Sequence, residues 1–168
     1  MIKSMNQEKF LVETKELRCR ADWHRRYYSD RANTFHRIDY WCRCFVGLAA
    51  FFGAIMALSG VPKFQTIGII LSSTSAIIIA NFLPIFKWDD IVSGFKSEEE
   101  EWTRIFKGYE EIISFAEISD RGEILVQELQ RIKEMQKAAA LNDRMLPKSQ
   151  QLFDKYEKEV REYYGLNT

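Results

Sequence analysis

The sequence predicts an all-α membrane protein, in which two transmembrane helices form a hairpin flanked by long cytoplasmic helices that form a bundle. Two apolar runs lead to this prediction, Phe45–Val61 and Ile67–Phe86, and neither contains a charged residue. A helix needs about 20 apolar residues to cross a bilayer, with a lower limit of about 17. Both runs reach that length, and the short link between them leaves room only for a tight antiparallel turn. No convincing strand pattern occurs elsewhere in the sequence.

A buried helical hairpin in a soluble domain is the competing interpretation of the two runs. Helices that are apolar on every side need other helices to wrap them. The remaining segments are strongly charged and have one apolar stripe each, which favours the bilayer. A signal peptide is excluded by position, because more than forty residues precede the first run.

Residues 1–43 are predicted to form a basic, amphipathic cytoplasmic helix that leads into the first span. No Gly or Pro interrupts residues 5–42, and apolar positions recur at helical spacing. Residues 15–43 contain eight Lys or Arg against four Asp or Glu. Asp22 can pair with Arg26 on the helix surface. The positive charge suits the acidic C-terminal part of the chain, anionic lipid or a phosphorylated ligand.

Arginines alternate with aromatic residues between Arg18 and Arg43. Guanidinium groups grip phosphates and aromatic faces stack on bases, so this pattern predicts a nucleotide-binding or single-strand-binding surface. The candidate ligand-binding residues are Arg18, Arg20, Trp23, Arg25, Arg26 and Arg31. A partner protein is the competing occupant of this surface. Tyr40, Trp41 and Arg43 are instead typical of a span at the inner membrane interface.

Residues 44–87 are predicted to form the transmembrane hairpin. Gly53-xxx-Ala57 in the first span allows close helix packing. The second span carries consecutive hydroxyl residues from Ser72 to Ser75, followed by Asn81. One chain with two spans cannot enclose a water-filled path, but several copies around an axis can. The predicted pore-lining residues are Gly68, Ser72, Ser75 and Asn81. A polar seam that only joins helices is the alternative.

Residues 88–168 are predicted to form a cytoplasmic helical region. They contain twelve Lys or Arg against eighteen Asp or Glu. The periodicity predicts one helix over about 89–116, a second that starts after an N-cap at Ser119-Asp120, and a third beyond a break at Pro147.

Basic residues near the span ends predict the orientation. Five arginines lie within the twenty residues before the first span, whereas the link contains Lys63 alone. Basic loops stay on the cytoplasmic side, so both termini are expected to face the cytoplasm of a multi-pass membrane protein.

No motif predicts catalysis, a cofactor or a metal. The sequence contains no Gly-rich phosphate loop and no Ser/His/Asp set. The three cysteines and two histidines do not have the spacing of a zinc site. We therefore expect no catalytic residue and no enzyme activity.

Several features together resemble a known family. An Arg-rich helix precedes a short two-span hairpin, Trp88-Asp89 follows it, and the C-terminal part contains the pattern Glu128–Met135, then Leu146-Pro147 and a helix centred on Tyr156. This layout, over nearly the whole chain, resembles the SLATT domain family of two-span membrane effectors associated with nucleotide-signalling bacterial immune systems.

The resemblance implies an oligomeric membrane channel that acts as an effector of antiphage defence. A nucleotide or oligonucleotide from a partner nucleotidyltransferase would gate it, and opening would depolarise the membrane and cause growth arrest or death. The expected assembly is a homo-oligomeric ring of three to five copies, such as a tetramer. The alternative is a non-channel membrane adaptor that binds a soluble partner through its cytoplasmic helices.

Overall fold

A computed structural model describes residues 2–82, 87–118, 122–142 and 149–165. Within these ranges the chain is helical apart from short turns, and no strand occurs, so the all-α prediction is confirmed. The helices are α1 (Ile2–Ala57), α2 (Pro62–Ile77), a π-helical segment (Ile78–Phe82), α3 (Trp88–Ile118), α4 (Gly122–Asn142) and α5 (Gln150–Tyr163). The predicted N-cap at Ser119-Asp120 and the predicted break at Pro147 lie outside the described residues.

Turn-forming residues separate α1 from α2. Gly60 has a φ of +72°, a left-handed conformation that glycine adopts without a steric cost. Ser59 Oγ donates a hydrogen bond to the carbonyl of Met56 at 2.8 Å, which satisfies an acceptor at the end of α1. Pro62 opens α2, where its missing N–H costs nothing and its fixed φ suits a helix.

The chain forms two compact units. The polar unit contains residues 1–31 and 94–168, and the apolar unit contains residues 32–93. The division falls within α1 and α3. The first part of α1 and most of the C-terminal residues, which lie far apart in the sequence, therefore share one unit.

Buried aromatic side chains hold the polar unit together. Tyr27, Tyr28, Phe95, Trp102 and Tyr109 are each at most 2% exposed. Tyr109 on α3 donates its hydroxyl hydrogen to Oε1 of Gln136 on α4 at 2.6 Å. Burial, together with the negative charge of Glu13, raises the pKa of Tyr109 to about 12. The backbone N–H of Ser149 donates to the Tyr27 hydroxyl at 2.9 Å, which joins the start of α5 to α1.

In the apolar unit, α2 runs antiparallel to the last turns of α1. Gly68 lies against Ala57, and Ser72, further along α2, lies against Gly53 and Ala50, which precede Ala57 in α1. The two backbones approach closely because small residues line this contact. The large apolar side chains of both helices lie on the outer surface of the pair.

Candidate functional site

An apolar surface covers the outside of the paired helices in the apolar unit. By length and composition, α1 and the helical stretch Pro62–Asn81 are each sufficient to cross a membrane. Eleven of their large apolar side chains are between 47% and 66% exposed. These side chains are Phe45, Leu48, Phe51, Phe52, Ile55, Phe64, Ile67, Ile69, Ile70, Ile77 and Ile79. The core helix of a soluble protein would bury such side chains, whereas an exposed apolar surface is typical of a contact with a membrane or with another protein.

The seam between the two helices contains three of the four predicted pore residues. A Cβ added at Gly68 would lie 2.3 Å from the backbone N of Ala57 and 2.5 Å from the carbonyl oxygen of Gly53. Ser72 Oγ donates to the carbonyl of Ala50 at 3.5 Å, a long hydrogen bond. Ser75, on the same face of α2, is only 3% exposed. Within one chain these residues join helices, and their role as a pore lining stays a prediction.

Asn81 differs from the other predicted pore residues. It lies in the π-helical segment with an exposed side chain, and its Nδ2 donates to the carbonyl of Ile77 at 3.2 Å. Ser73 and Thr74 are also exposed. Asn81, Ser73 and Thr74 are therefore exposed on the outer surface of the second helical stretch, unlike the seam residues.

Aromatic and charged residues border the apolar surface at the end of the unit opposite the link. The exposed side chains of Tyr40 and Trp41 lie here. Arg43 Nε donates to Oδ1 of Asp39 at 2.8 Å, and a guanidinium nitrogen of Arg43 lies 3.7 Å from Oδ2 of Asp89 on α3. This band has the composition of a membrane–water interface.

In the polar unit, two of the predicted ligand-binding arginines, Arg25 and Arg26, pair with a buried carboxylate. Asp22 is 0% exposed. Its two oxygens lie 2.7 Å from a guanidinium nitrogen of Arg25 and 2.9 Å from one of Arg26. The Tyr164 hydroxyl of α5 donates to Asp22 Oδ2 at 3.3 Å. Burial and the charge of Asp22 raise the pKa of Tyr164, so this hydroxyl keeps its proton.

Most of these arginines also stack on aromatic rings of other helices. The guanidinium carbons lie 4.5 to 5.7 Å from the ring centroids, a distance at which cations and rings attract. The pairs are Arg18 with Tyr164, Arg25 with Phe106, Arg26 with Tyr163 and Arg31 with Phe95. Arg20 instead pairs with Glu16 at 3.3 Å on the exposed surface of α1.

Trp23 is packed inside the protein. It is 8% exposed, it meets Phe153 of α5 edge-on at 4.2 Å, and it stacks on His24 at 4.1 Å. It belongs to a cluster with Cys19 and Val160. In this conformation the indole is buried, with Phe153 of α5 among its neighbours, and it is not open to a stacking base. The α5 residues that pack against Trp23 cannot be identified from the sequence pattern of α1.

The described residues contain no group of three or more His, Cys, Asp or Glu side chains that could hold a metal ion. Cys19, Cys42 and Cys44 are free thiols. Nothing in the described part of the chain therefore directs attention to a metal centre. The candidate functional features are the apolar surface of the apolar unit and the guanidinium groups of the polar unit.

Comparisons with known proteins do not identify a family. No family model, curated protein or solved structure matches the chain. The resemblance to the SLATT family stays a prediction from the sequence features given above.

Proposed function

We propose that the chain is a multi-pass membrane protein whose apolar unit spans the bilayer as a helical hairpin. The observation that carries this proposal is the exposed apolar surface on both helices. At about 1.5 Å per residue, α1 extends about 21 Å from Arg43 to its end at Ala57. The uncharged residues of the turn that follows lengthen the apolar stretch toward the hydrocarbon thickness of about 30 Å. Close packing through glycine, the interfacial aromatic band and the lack of charge in both runs support the same conclusion.

The polar unit then forms a cytoplasmic helical bundle. The arginines that precede the first span support this orientation, as does the single basic residue, Lys63, in the link. Both termini face the cytoplasm, and the link faces outward. Nearly all contacts with soluble molecules occur on the cytoplasmic side.

Within the membrane, the protein works as a homo-oligomeric channel. Two spans from one chain enclose no path, whereas a ring of three to five copies, such as a tetramer, does. Its lining is weakly polar, supplied by exposed side chains such as Asn81. Hydroxyl and amide linings discriminate little between ions, so Lys87, Asp89 and Asp90 at the mouth set charge preference.

The resemblance to the SLATT family supports a role as an antiphage effector in a bacterial inner membrane. A nucleotide or oligonucleotide from a partner nucleotidyltransferase opens the channel, and depolarisation stops growth or kills the infected cell. The arginine-rich part of α1 is the proposed receptor for that signal.

Reconstitution tests the channel. We expect purified full-length protein in liposomes of phosphatidylethanolamine and phosphatidylglycerol to pass monovalent ions, with flux that depends on added nucleotides. Protein-free liposomes, and liposomes holding an unrelated two-span protein, are the controls. If incorporated protein passes no ions with any nucleotide tested, the channel proposal fails.

A non-channel membrane adaptor is the second candidate. It is favoured by apolar side chains on the polar unit that remain 57% to 59% exposed, namely Phe115, Ile124 and Val126. Such side chains suit contact with a soluble partner. The adaptor predicts overexpression without toxicity and no effect on cells of substitutions on the outer face of the spans.

A further inference from the structure

Helix α5 covers one face of α1 in the polar unit. Its aromatic residues Tyr163 and Tyr164 lie under Arg26 and Arg18, and Phe153 packs against Trp23. The arginine face is defined here as Arg18, Trp23 and Arg26. These are three of the residues that the sequence predicts to bind a phosphorylated ligand, and α5 occupies all three.

The charged side chains of α5 are paired within the helix itself. Arg161 lies 3.1 Å from Glu157, Lys155 lies 3.7 Å from Glu159, and Lys158 lies 3.9 Å from Glu162. These i,i+4 pairs persist when the helix moves as a body. Helix α5 therefore contacts α1 through ring packing and a few hydrogen bonds. It can separate from α1 without breaking its own ion pairs.

The covered face already includes an ion pair between an arginine and a carboxylate of the same helix. Asp22, which is fully buried, lies beside Arg26 and accepts a hydrogen bond from Tyr164 of α5. Arg18 Nε is buried and has no hydrogen-bond partner among the described residues. Guanidinium groups bind phosphate through paired, charge-assisted hydrogen bonds. A phosphate group carries more negative charge than one carboxylate, so it competes for these donors once α5 leaves.

We propose that α5 is an autoinhibitory latch on the arginine face of α1, and that its release presents Arg18, Trp23 and Arg26 to a phosphate-bearing ligand. This inference rests on the proposed gating by a nucleotide and adds its mechanism. The ligand binds the open state alone, so it shifts the population toward the open latch. The hydrogen bond from the Tyr164 hydroxyl to the carboxylate of Asp22 holds the closed state, together with the packing of the Tyr164 ring under Arg18.

Cys19 reports directly on the latch. It is 3% exposed, and it packs in a cluster with Val160 of α5. Modification of this thiol by a soluble disulfide reagent therefore requires α5 to move. The assay uses the full chain in detergent with Cys42→Ser and Cys44→Ser, so that the labelling rate measures latch opening.

Removal of one hydroxyl should loosen the latch. Tyr164→Phe deletes the hydrogen bond to a buried carboxylate but keeps the ring under Arg18, and we expect Cys19 labelling to be about threefold to tenfold faster. The matched control, Tyr163→Phe, makes the same change at the neighbouring ring and should stay within about twofold of the background rate. Unchanged labelling in Tyr164→Phe, at unchanged helix content, overturns the latch.

Inorganic tripolyphosphate is the probe for the ligand. It should accelerate Cys19 labelling, whereas sodium chloride at the same ionic strength should not. Arg18→Gln with Arg26→Gln should abolish the acceleration. If tripolyphosphate leaves the rate unchanged or slows it, or if the double variant responds like the parent, the arginine face is not a phosphate receptor.

A cross-link separates the latch from the channel. Val160→Cys places a thiol in the cluster of Cys19, and oxidation should tie α5 to α1 and stop ion flux in liposomes until a reductant is added. Val160→Cys with Cys19→Ser is the control that cannot cross-link. Flux that continues in the cross-linked protein overturns autoinhibition. Absence of flux in every sample, with latch-dependent labelling intact, contradicts the channel instead.

Discussion

Two glycines decide how closely the helices of the apolar unit approach. A Cβ at Gly53 would lie 2.5 Å from Ser72 Oγ and 2.8 Å from the Ser72 backbone N. A Cβ at Gly68 would press on the backbone of α1, which cannot rotate away as a side chain can. Small residues at a helix contact are the usual means of packing in lipid, where helices are not driven together by water. At these two positions the absence of a Cβ is what allows the two helices to approach each other so closely.

Gly68→Ala should therefore destabilise the apolar unit, because the helices must separate to admit the methyl group. We expect a loss of about 1–3 kcal/mol in the free energy of unfolding. Gly47→Ala is the matched control, since a Cβ there has nothing within 4 Å. The measurement is helix loss by circular dichroism during titration with sodium dodecyl sulfate. Equal midpoints for the two variants would contradict the described contact.

Single residues of the polar unit mark the limit of what the sequence predicts. The pairing of Asp22 with Arg26 follows from helical spacing alone, and the structure contains it. The contact of Asp22 with Tyr164 joins residues 142 positions apart, which no local pattern reveals. For the same reason, the alternation of arginines and aromatic residues indicates a ligand surface, although Trp23 is buried by its own chain.

At the scale of elements, apolar periodicity predicts where helices run better than how they end. The long helix from residue 5 into the first span is present as α1, and the helix predicted over about 89–116 is present as α3. The second apolar run is α-helical only to Ile77 and then π-helical to Phe82. Hydropathy does not distinguish these forms, because it reports how apolar the residues are and not which carbonyl each N–H bonds to. π segments are rare, and they occur frequently at functional sites.

The outer surface of α2 provides a test that separates a membrane from water. Ile70 in the apolar unit and Ile124 in the polar unit are 61% and 58% exposed. In a soluble protein, lysine at either position is tolerated equally. In a bilayer, Ile70→Lys should cost about 2.5–3.5 kcal/mol of insertion free energy, whereas Ile124→Lys should cost almost nothing. The fraction of protein that resists alkaline carbonate extraction of membranes measures the difference. An equal fraction for both variants would favour the soluble interpretation.

At the scale of the whole molecule, net charge explains fewer of the contacts between distant segments than the packing of arginines on aromatic rings does. Residues 1–31 of the basic N-terminal segment and residues 94–168 of the acidic C-terminal part share one unit. The contacts between them depend largely on arginines lying over aromatic rings, as with Arg25 over Phe106. The long-range ion pair of Glu13 with Lys133 joins charges opposite to the net charge of each segment. Net charge is an average over many side chains, so it cannot predict which individual groups meet.

The proposed channel has two candidate linings, which one prediction distinguishes. Asn81 is exposed on one copy, whereas Ser75 is buried beside α1. If the outer surface of the hairpin lines the axis, Asn81→Asp adds a ring of negative charge and should raise the preference for cations over anions. Ser75→Ala should change stability but leave selectivity unaltered. Reversal potentials in a salt gradient across a planar bilayer measure the selectivity of both variants. A selectivity change in Ser75→Ala, with none in Asn81→Asp, would mean that the hairpin opens on assembly and turns its seam toward the axis.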